Sequence, residues 1–243
     1  MATRLVKLTV LTDFTCANCC VGQHELLNAV SYCQDTLHLP LQFEIEHLPF
    51  RLINPSILPD DCTKVDKADF LMTHIGKEKF TKMSDAVSKW AEEKGIPISF
   101  RGVMSQTTRA HRLCQKAYKL GRQSKQIPLM CAVFKAYMEE GQDIADINVL
   151  AGLAESTGTM SKEEAIKFLE SDELEKEVDS MTNEARSKGI TGVPMTIIDG
   201  KWAVSGGQSS DVFVQIFKKL AVAGSHNPSS PFSGPVADTV LVA

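Results

Sequence analysis

The chain has no apolar run long enough to cross a bilayer or to serve as the hydrophobic part of a secretory signal. Its longest apolar stretches are short and interrupted by charge, as at Lys7 and Asp13 near the start. It lacks an excess of either charge: 26 Lys and Arg stand against 30 Asp and Glu, a formal net charge of -4, and nothing in that balance points to nucleic acid. There is no second CxxC and no paired-histidine motif, the patterns that complete a structural zinc site. Seven cysteines are an odd number for a secreted disulfide framework, and 243 residues bury enough core to fold without such staples. The expectation is a cytoplasmic protein whose thiols are mostly reduced.

What is present reads as an α/β frame around a helical block. Leu5 to Leu11, LVKLTVL, suits a buried strand and runs directly into DFTCANCCVGQHELLNAVSYC. There Asp13 or Thr15 is placed to cap a helix with an apolar stripe of Val21, Leu26, Leu27 and Val30. In LQFEIEHLPF, from Leu41 to Phe50, the residues Leu41, Phe43, Ile45 and His47 alternate with Gln42, Glu44 and Glu46 before Pro49. Strand, helix and strand make a βαβ unit, which predicts a parallel pair.

From about Lys64 to Lys188 the pattern is helical, rich in Ala, Lys and Glu. Breaks at Gly95 with Pro97, Gly121, Pro128, Gly141 and around Gly158 predict four or five helices, one of them opened by a Ser161–Glu164 capping box. Strands return in PMTIIDGKWAVSGG, where Asp199-Gly200 predicts a tight antiparallel hairpin. Ser209 or Ser210 then caps a last helix whose Val212, Phe213, Ile216, Phe217 and Leu220 share a face. Beyond Gly224 the Ser-, Pro- and Gly-rich tail reads as a mobile or surface-draped extension.

Cys16-Ala17-Asn18-Cys19 carries the chemistry. A strand-to-helix turn offers backbone N–H groups and the helix dipole to a thiolate on the first cysteine, which makes Cys16 the expected nucleophile. Cys19, one turn on, is placed to attack a mixed disulfide on Cys16 and resolve it. Zinc held by Cys16, Cys19 and Cys20 with His24 or His111 is the competing use of these residues and ranks below redox chemistry, so no metal is expected. Cys20 points away from Cys19 around the helix and reads as a small buried side chain or as an additional exchange partner. Cys33, Cys62, Cys114 and Cys131 are expected to be structural.

From about Lys7 to Leu220 the chain resembles the DsbA-like thioredoxin superfamily, and within it the FrnE-type branch. Asp13 precedes CANCCVG where relatives carry a CPWCYIG-like turn. PFRLINP follows the second strand, Thr108 leads into AHRL from Ala110, and Gly192-Val193-Pro194 and Gly206-Gly207-Gln208 close the pattern. The resemblance implies an α/β thioredoxin fold interrupted by helices: a discontinuous thioredoxin-like domain of residues 1–62 and 189–222, an all-helical insert of residues 63–188 and a flexible tail of residues 223–243. It implies a cis peptide before Pro194. Val193, Pro194, Gln208, Ser209 and His111 would then receive an extended peptide or glutathione, with Asp13 and Cys20 as accessory residues. Arg109, His111 and Arg112 share the helix that relatives close over the active site, and a solvated helix face is the other reading of them. Two departures bear on redox poise: Ala17-Asn18 replaces the usual Pro-Trp, and Cys20 replaces an aromatic residue.

The implied activity is thiol–disulfide exchange with no tightly bound cofactor and with glutathione as co-substrate. Its partner would be a disulfide-containing protein or a small thiol or electrophile, and the protein a monomer or homodimer. The superfamily also holds kappa-class glutathione transferases and 2-hydroxychromene-2-carboxylate isomerases, so a glutathione-dependent isomerase or transferase in secondary metabolism is the alternative. Those enzymes often present serine where Cys16 stands, and retention of both cysteines favours exchange. Retention also disfavours a third option, a thioredoxin-like module that only binds peptide.

Overall fold

Strand β1 (Arg4–Thr12), helix α1 (Ala17–Ser31) and strand β2 (Leu41–Pro49) open the chain in a computed structural model that describes residues 3–58 and 64–223. The two strands are parallel, with Arg4 opposite Leu41 and Thr12 opposite Pro49, as a helical crossover requires. Near the other end, β3 (Met195–Ile198) and β4 (Trp202–Ser205) pair as a hairpin. Its turn needs positive φ twice, and Asp199 and Gly200 supply 51° and 66°. Asp199 also pairs with Arg4 at 2.8 Å and accepts from Lys7 N at 2.9 Å, which fastens the hairpin to β1. Antiparallel pairing of β3 with β1 completes the sheet order β2-β1-β3-β4.

One face of this sheet is buried under α1 and helix α9 (Ser210–Ala223). Val6, Leu8 and Val10 of β1 and Leu41, Phe43 and Ile45 of β2 pack there with Leu26, Phe213, Phe217 and Leu220. This is the α/β thioredoxin frame that the resemblance implies. Cys62 and the tail beyond Gly224 lie outside the described residues.

Between β2 and β3 the described residues form seven helices rather than four or five. They are α2 (Lys67–Ile75), α3 (Lys77–Glu93), α4 (Thr108–Gly121), α5 (Gln123–Phe134), α6 (Ile147–Ser156), α7 (Lys162–Glu170) and α8 (Glu175–Ser187). The capping box at Ser161 and Glu164 is present at the start of α7. The expected break at Pro128 is absent, since that proline lies inside α5. The carbonyl it cannot serve is that of exposed Ser124, which water reaches, so the helix tolerates it. The insert does not stand apart from the frame: Phe14, Cys20 and Val21 belong to the same buried cluster as Leu113, Leu129 and Phe134.

Because β2 is an edge strand, its outer N–H and C=O groups need partners, and α4 and α5 supply them as glutamine side chains. Gln123 accepts from Ile45 N and donates to Phe43 O, while Gln126 accepts from His47 N at 2.8 Å and donates to His47 O at 2.9 Å. Gln115 donates to the same carbonyl at 2.7 Å. Three amide side chains thus stand in for a fifth strand and hold the insert against the sheet.

Candidate active site

The turn between β1 and α1 differs from expectation in one respect that matters for chemistry. Neither Asp13 nor Thr15 caps α1; the N-cap is Cys16 itself, extended at φ -93° and ψ 107°, with no side chain on the helix N–H groups. Asp13 is turned back into the protein. Its carboxylate accepts from Leu52 N at 2.7 Å and from Thr15 N and Oγ1 at 3.3 and 3.0 Å, and His111 Nε2 lies 3.5 Å away. Burial pushes this carboxyl up, but His111 and the two backbone donors outweigh it and hold Asp13 below the usual carboxylate value. Asp13 therefore ties the cysteine turn to the start of the loop after β2 and leaves the N-terminus of α1 open beside Cys16.

Cys16 is half-buried, and its Sγ donates to Val193 O at 3.4 Å, next to a cis Val193–Pro194 peptide bond. Cys19 is 1% exposed and hydrogen-bonds both the Cys16 thiol and the Thr12 side chain. Burial, reinforced by the neighbouring Cys16, raises the Cys19 thiol well above the ordinary value, against smaller opposing effects of Thr12 and the Asp13 backbone. One thiol is thus reachable beside a turn of free backbone, and the other is protonated beneath it.

The remaining residues singled out from the sequence divide between this cluster and its supports. Pro194 and Gln208 line a small cavity directly behind Cys19, and Gln208 also donates to Ser205 O at 2.9 Å. Ser209 is partly buried just ahead of α9. His111 is only 2% exposed and packs tilted against Phe14, ring centroids 4.9 Å apart, so it stands behind Asp13 and not in an open cleft. The solvated-face reading of its helix is overturned as well. Arg112 is buried and donates to the carbonyls of Phe168, Ser171 and Glu173 where α7 ends, and Arg109 donates to Ala145 O. Cys20 is buried in the helical core, its thiol pushed up to about 12 by burial first and then by Glu139, Cys131 and Cys16. Among the described residues, no group of three or more His, Cys, Asp or Glu side chains is arranged to hold a metal ion, and His24 is exposed.

Three residues at the site were not singled out beforehand. Thr12 and His47 face the cavity behind Cys19, and Trp90 of α3 lies over Gly207, so closely that a Cβ there would come within 2.6 Å of Cη2 and 3.2 Å of Asn18 O. His47 had a signal, since it falls in phase with Leu41, Phe43 and Ile45 on the inward side of β2. Trp90 had none beyond its helix.

The chain that carries this cysteine pair and cis-proline turn matches the DSBA-like thioredoxin domain over residues 7–218. The chain belongs to the DSBA-like thioredoxin family. Members of that superfamily are oxidoreductases or isomerases. Among curated proteins, the uncharacterized protein YwbO of Bacillus subtilis (strain 168) is 25% identical over 211 residues, covering 86% of this chain and 94% of its own. A probable DsbA oxidoreductase from Streptomyces coelicolor superposes with a TM-score of 0.76 at 24% identity, over 93% of this chain and 94% of that one. A 2-hydroxychromene-2-carboxylate isomerase shares the fold at a TM-score of 0.65 and 16% identity, over 90% and 98%. No helix among the described residues is long and apolar enough to cross a membrane.

Proposed function

We propose that this DSBA-like protein is a thiol–disulfide oxidoreductase in which Cys16 is the nucleophile and Cys19 the resolving thiol. The observation that carries the reading is the asymmetry of the pair: a reachable Cys16 against the Val193 carbonyl, and a buried, protonated Cys19 hydrogen-bonded to it. The Cys16 thiolate attacks one sulfur of a partner disulfide, and the partner's other sulfur leaves as a thiolate. Cys19 then attacks Cys16, the protein disulfide forms, and the second partner sulfur is released, so two protein thiols are oxidised as one partner disulfide is reduced. Run backwards, the same steps oxidise a dithiol. The Val193–Pro194 turn and the Gln208–Ser209 segment beside it receive the partner's backbone, and glutathione in the cytoplasm resets the pair.

The test is equilibration in a graded series of reduced and oxidised glutathione, followed by alkylation and mapping of each cysteine by mass spectrometry. Interconversion of Cys16 and Cys19 as a disulfide with a defined potential is expected. Cys16→Ser abolishes exchange, and Cys19→Ser accumulates a mixed disulfide on Cys16. A pair that stays reduced throughout, or a Cys16 that carries only a glutathione adduct, overturns the oxidoreductase reading in favour of a glutathione-dependent isomerase or transferase acting on a small molecule.

A further inference from the structure

The exchange proposed above leaves one proton unassigned. Cys19 has to give up its thiol proton to attack the mixed disulfide, and it does so while closed off from solvent, 1% exposed and with its thiol raised by burial. The two buried carboxylates of this region are committed elsewhere. Asp13 is held by Leu52 N, Thr15 and His111, and Glu25 is paired with Lys94 at 3.2 Å and bonded to Ser210 N at 2.6 Å. Neither lies on the wall of the cavity behind Cys19.

That cavity, of about 10 Å³, is the size that takes a single water. Thr12 of β1, Cys19 and Gln23 of α1, His47 of β2 and Thr196 of β3 give it polar edges, and Cys19 and His47 are its only titratable members. His47 is 1% exposed, and neither ring nitrogen has a hydrogen-bond partner; Gln23 Oε1 is unpartnered in the same way. An imidazole buried without partners works against stability, and an aliphatic residue at this inward position of β2 would avoid the penalty. Its backbone N–H and carbonyl are both held by Gln126, with Gln115 also on the carbonyl, so the strand position that carries the ring is fixed.

We propose that His47 is the proton acceptor for Cys19, reached across the water-sized cavity between them. As Cys19 Sγ closes on Cys16 Sγ, its proton passes to the neutral imidazole; the Cys16–Cys19 bond forms, the bond from Cys16 to the partner sulfur breaks, and the partner leaves as a thiolate. The imidazolium then releases its proton to solvent past Gly206, the exposed part of the cavity wall. In the opposite direction Cys19 leaves as a thiolate and takes a proton along the same route. Burial alone, with no charged group acting on the ring from the described sheet or the helices packed on it, lowers the His47 pKa to about 4, so the ring is neutral throughout the neutral range; as a weak base it takes the proton only in concert with formation of the Cys16–Cys19 bond, not from the resting thiol.

The inference rests on the redox reading, and the experiment separates the two. Cys16 is loaded with glutathione from its oxidised form, and the release of glutathione as Cys19 closes the disulfide is followed by rapid quench across pH. In the wild type the rate is level through neutrality and falls only towards pH about 4. In His47→Phe it drops roughly 100-fold at neutral pH and climbs about tenfold per pH unit, because Cys19 now ionises without a base. Alkylation of Cys16 at an unchanged rate reports that the variant is folded. A His47→Phe rate and profile equal to wild type overturn the relay alone. A wild type that never forms the Cys16–Cys19 disulfide overturns the redox reading and the relay with it. Where His47→Phe does not fold, the wild-type profile decides: a level rate supports the relay, and a tenfold climb per pH unit refutes it.

Discussion

Replacing Gln126 tests whether side-chain amides hold the edge of the sheet. Gln126 is fully buried and makes three hydrogen bonds: it accepts from His47 N and donates to His47 O and to Cys114 O. These losses are unequal. His47 O keeps Gln115 at 2.7 Å, and the Cys114 carbonyl lies within α4, whose own ladder serves it. His47 N–H has no other acceptor on the open side of β2 and becomes a buried orphan, which costs about 1–3 kcal/mol. Gln126→Met keeps the side-chain length and removes only the polar bonds, so about 2 kcal/mol of unfolding free energy should be lost. Gln126→Ala adds roughly 1–2 kcal/mol for the cavity left behind. Urea titrations of wild type and both variants at neutral pH read this as a lower midpoint with an unchanged slope. A methionine variant within about 0.5 kcal/mol of wild type would refute the edge-capping account, since the orphaned N–H alone exceeds that.

Acid should weaken the fold through His47. Its folded pKa is lowered to about 4 from 6.5, so between those values the unfolded chain binds a proton that the folded one does not, and stability falls as pH falls. At about 1.4 kcal/mol per unit the loss approaches roughly 3 kcal/mol at pH about 4; urea titrations across this range should show it in wild type and not in His47→Leu, and parallel slopes would exclude it. Gly207→Ala drives a methyl group to within 2.6 Å of Trp90 and 3.2 Å of Asn18 O. A loss of about 1–3 kcal/mol and a shift in tryptophan emission are expected, and a variant with unaltered stability and emission would mean that Trp90 does not sit on this turn in solution.

Much of the architecture was legible because its signals are short-range. Alternation marked β1 and β2, Asp199-Gly200 marked the hairpin, and Ser161 with Glu164 marked the start of α7. The helix count came out low where a boundary carries little punctuation: Gly76 at φ 87° alone parts α2 from α3. The α4–α5 boundary was legible, since the break expected at Gly121 falls where Arg122 at φ 51° separates the two helices. Pro128 erred in the other direction, a breaker by composition that falls where water serves the freed carbonyl. At the site the cysteine pair was legible from its spacing. The use of Asp13 was not: an aspartate shortly before a helix start reads as a cap, and only the arrival of Leu52 N and His111 shows why it turns inward.

By itself the sequence determined the local elements, the turn that presents Cys16, and the thiol one helical turn behind it, because periodicity, turn chemistry and i, i+3 spacing act over a few residues. Tertiary structure decided what surrounds those thiols. Val193 reaches Cys16 from 177 positions away, Gln126 reaches His47 from 79, and Trp90 inside the insert meets Gly207 beyond its end. Such contacts arise only when the sheet closes and the helices pack against its edge. Burial then does the rest: it keeps Cys19 a thiol and His47 a neutral base, a property of neighbours that no local pattern encodes.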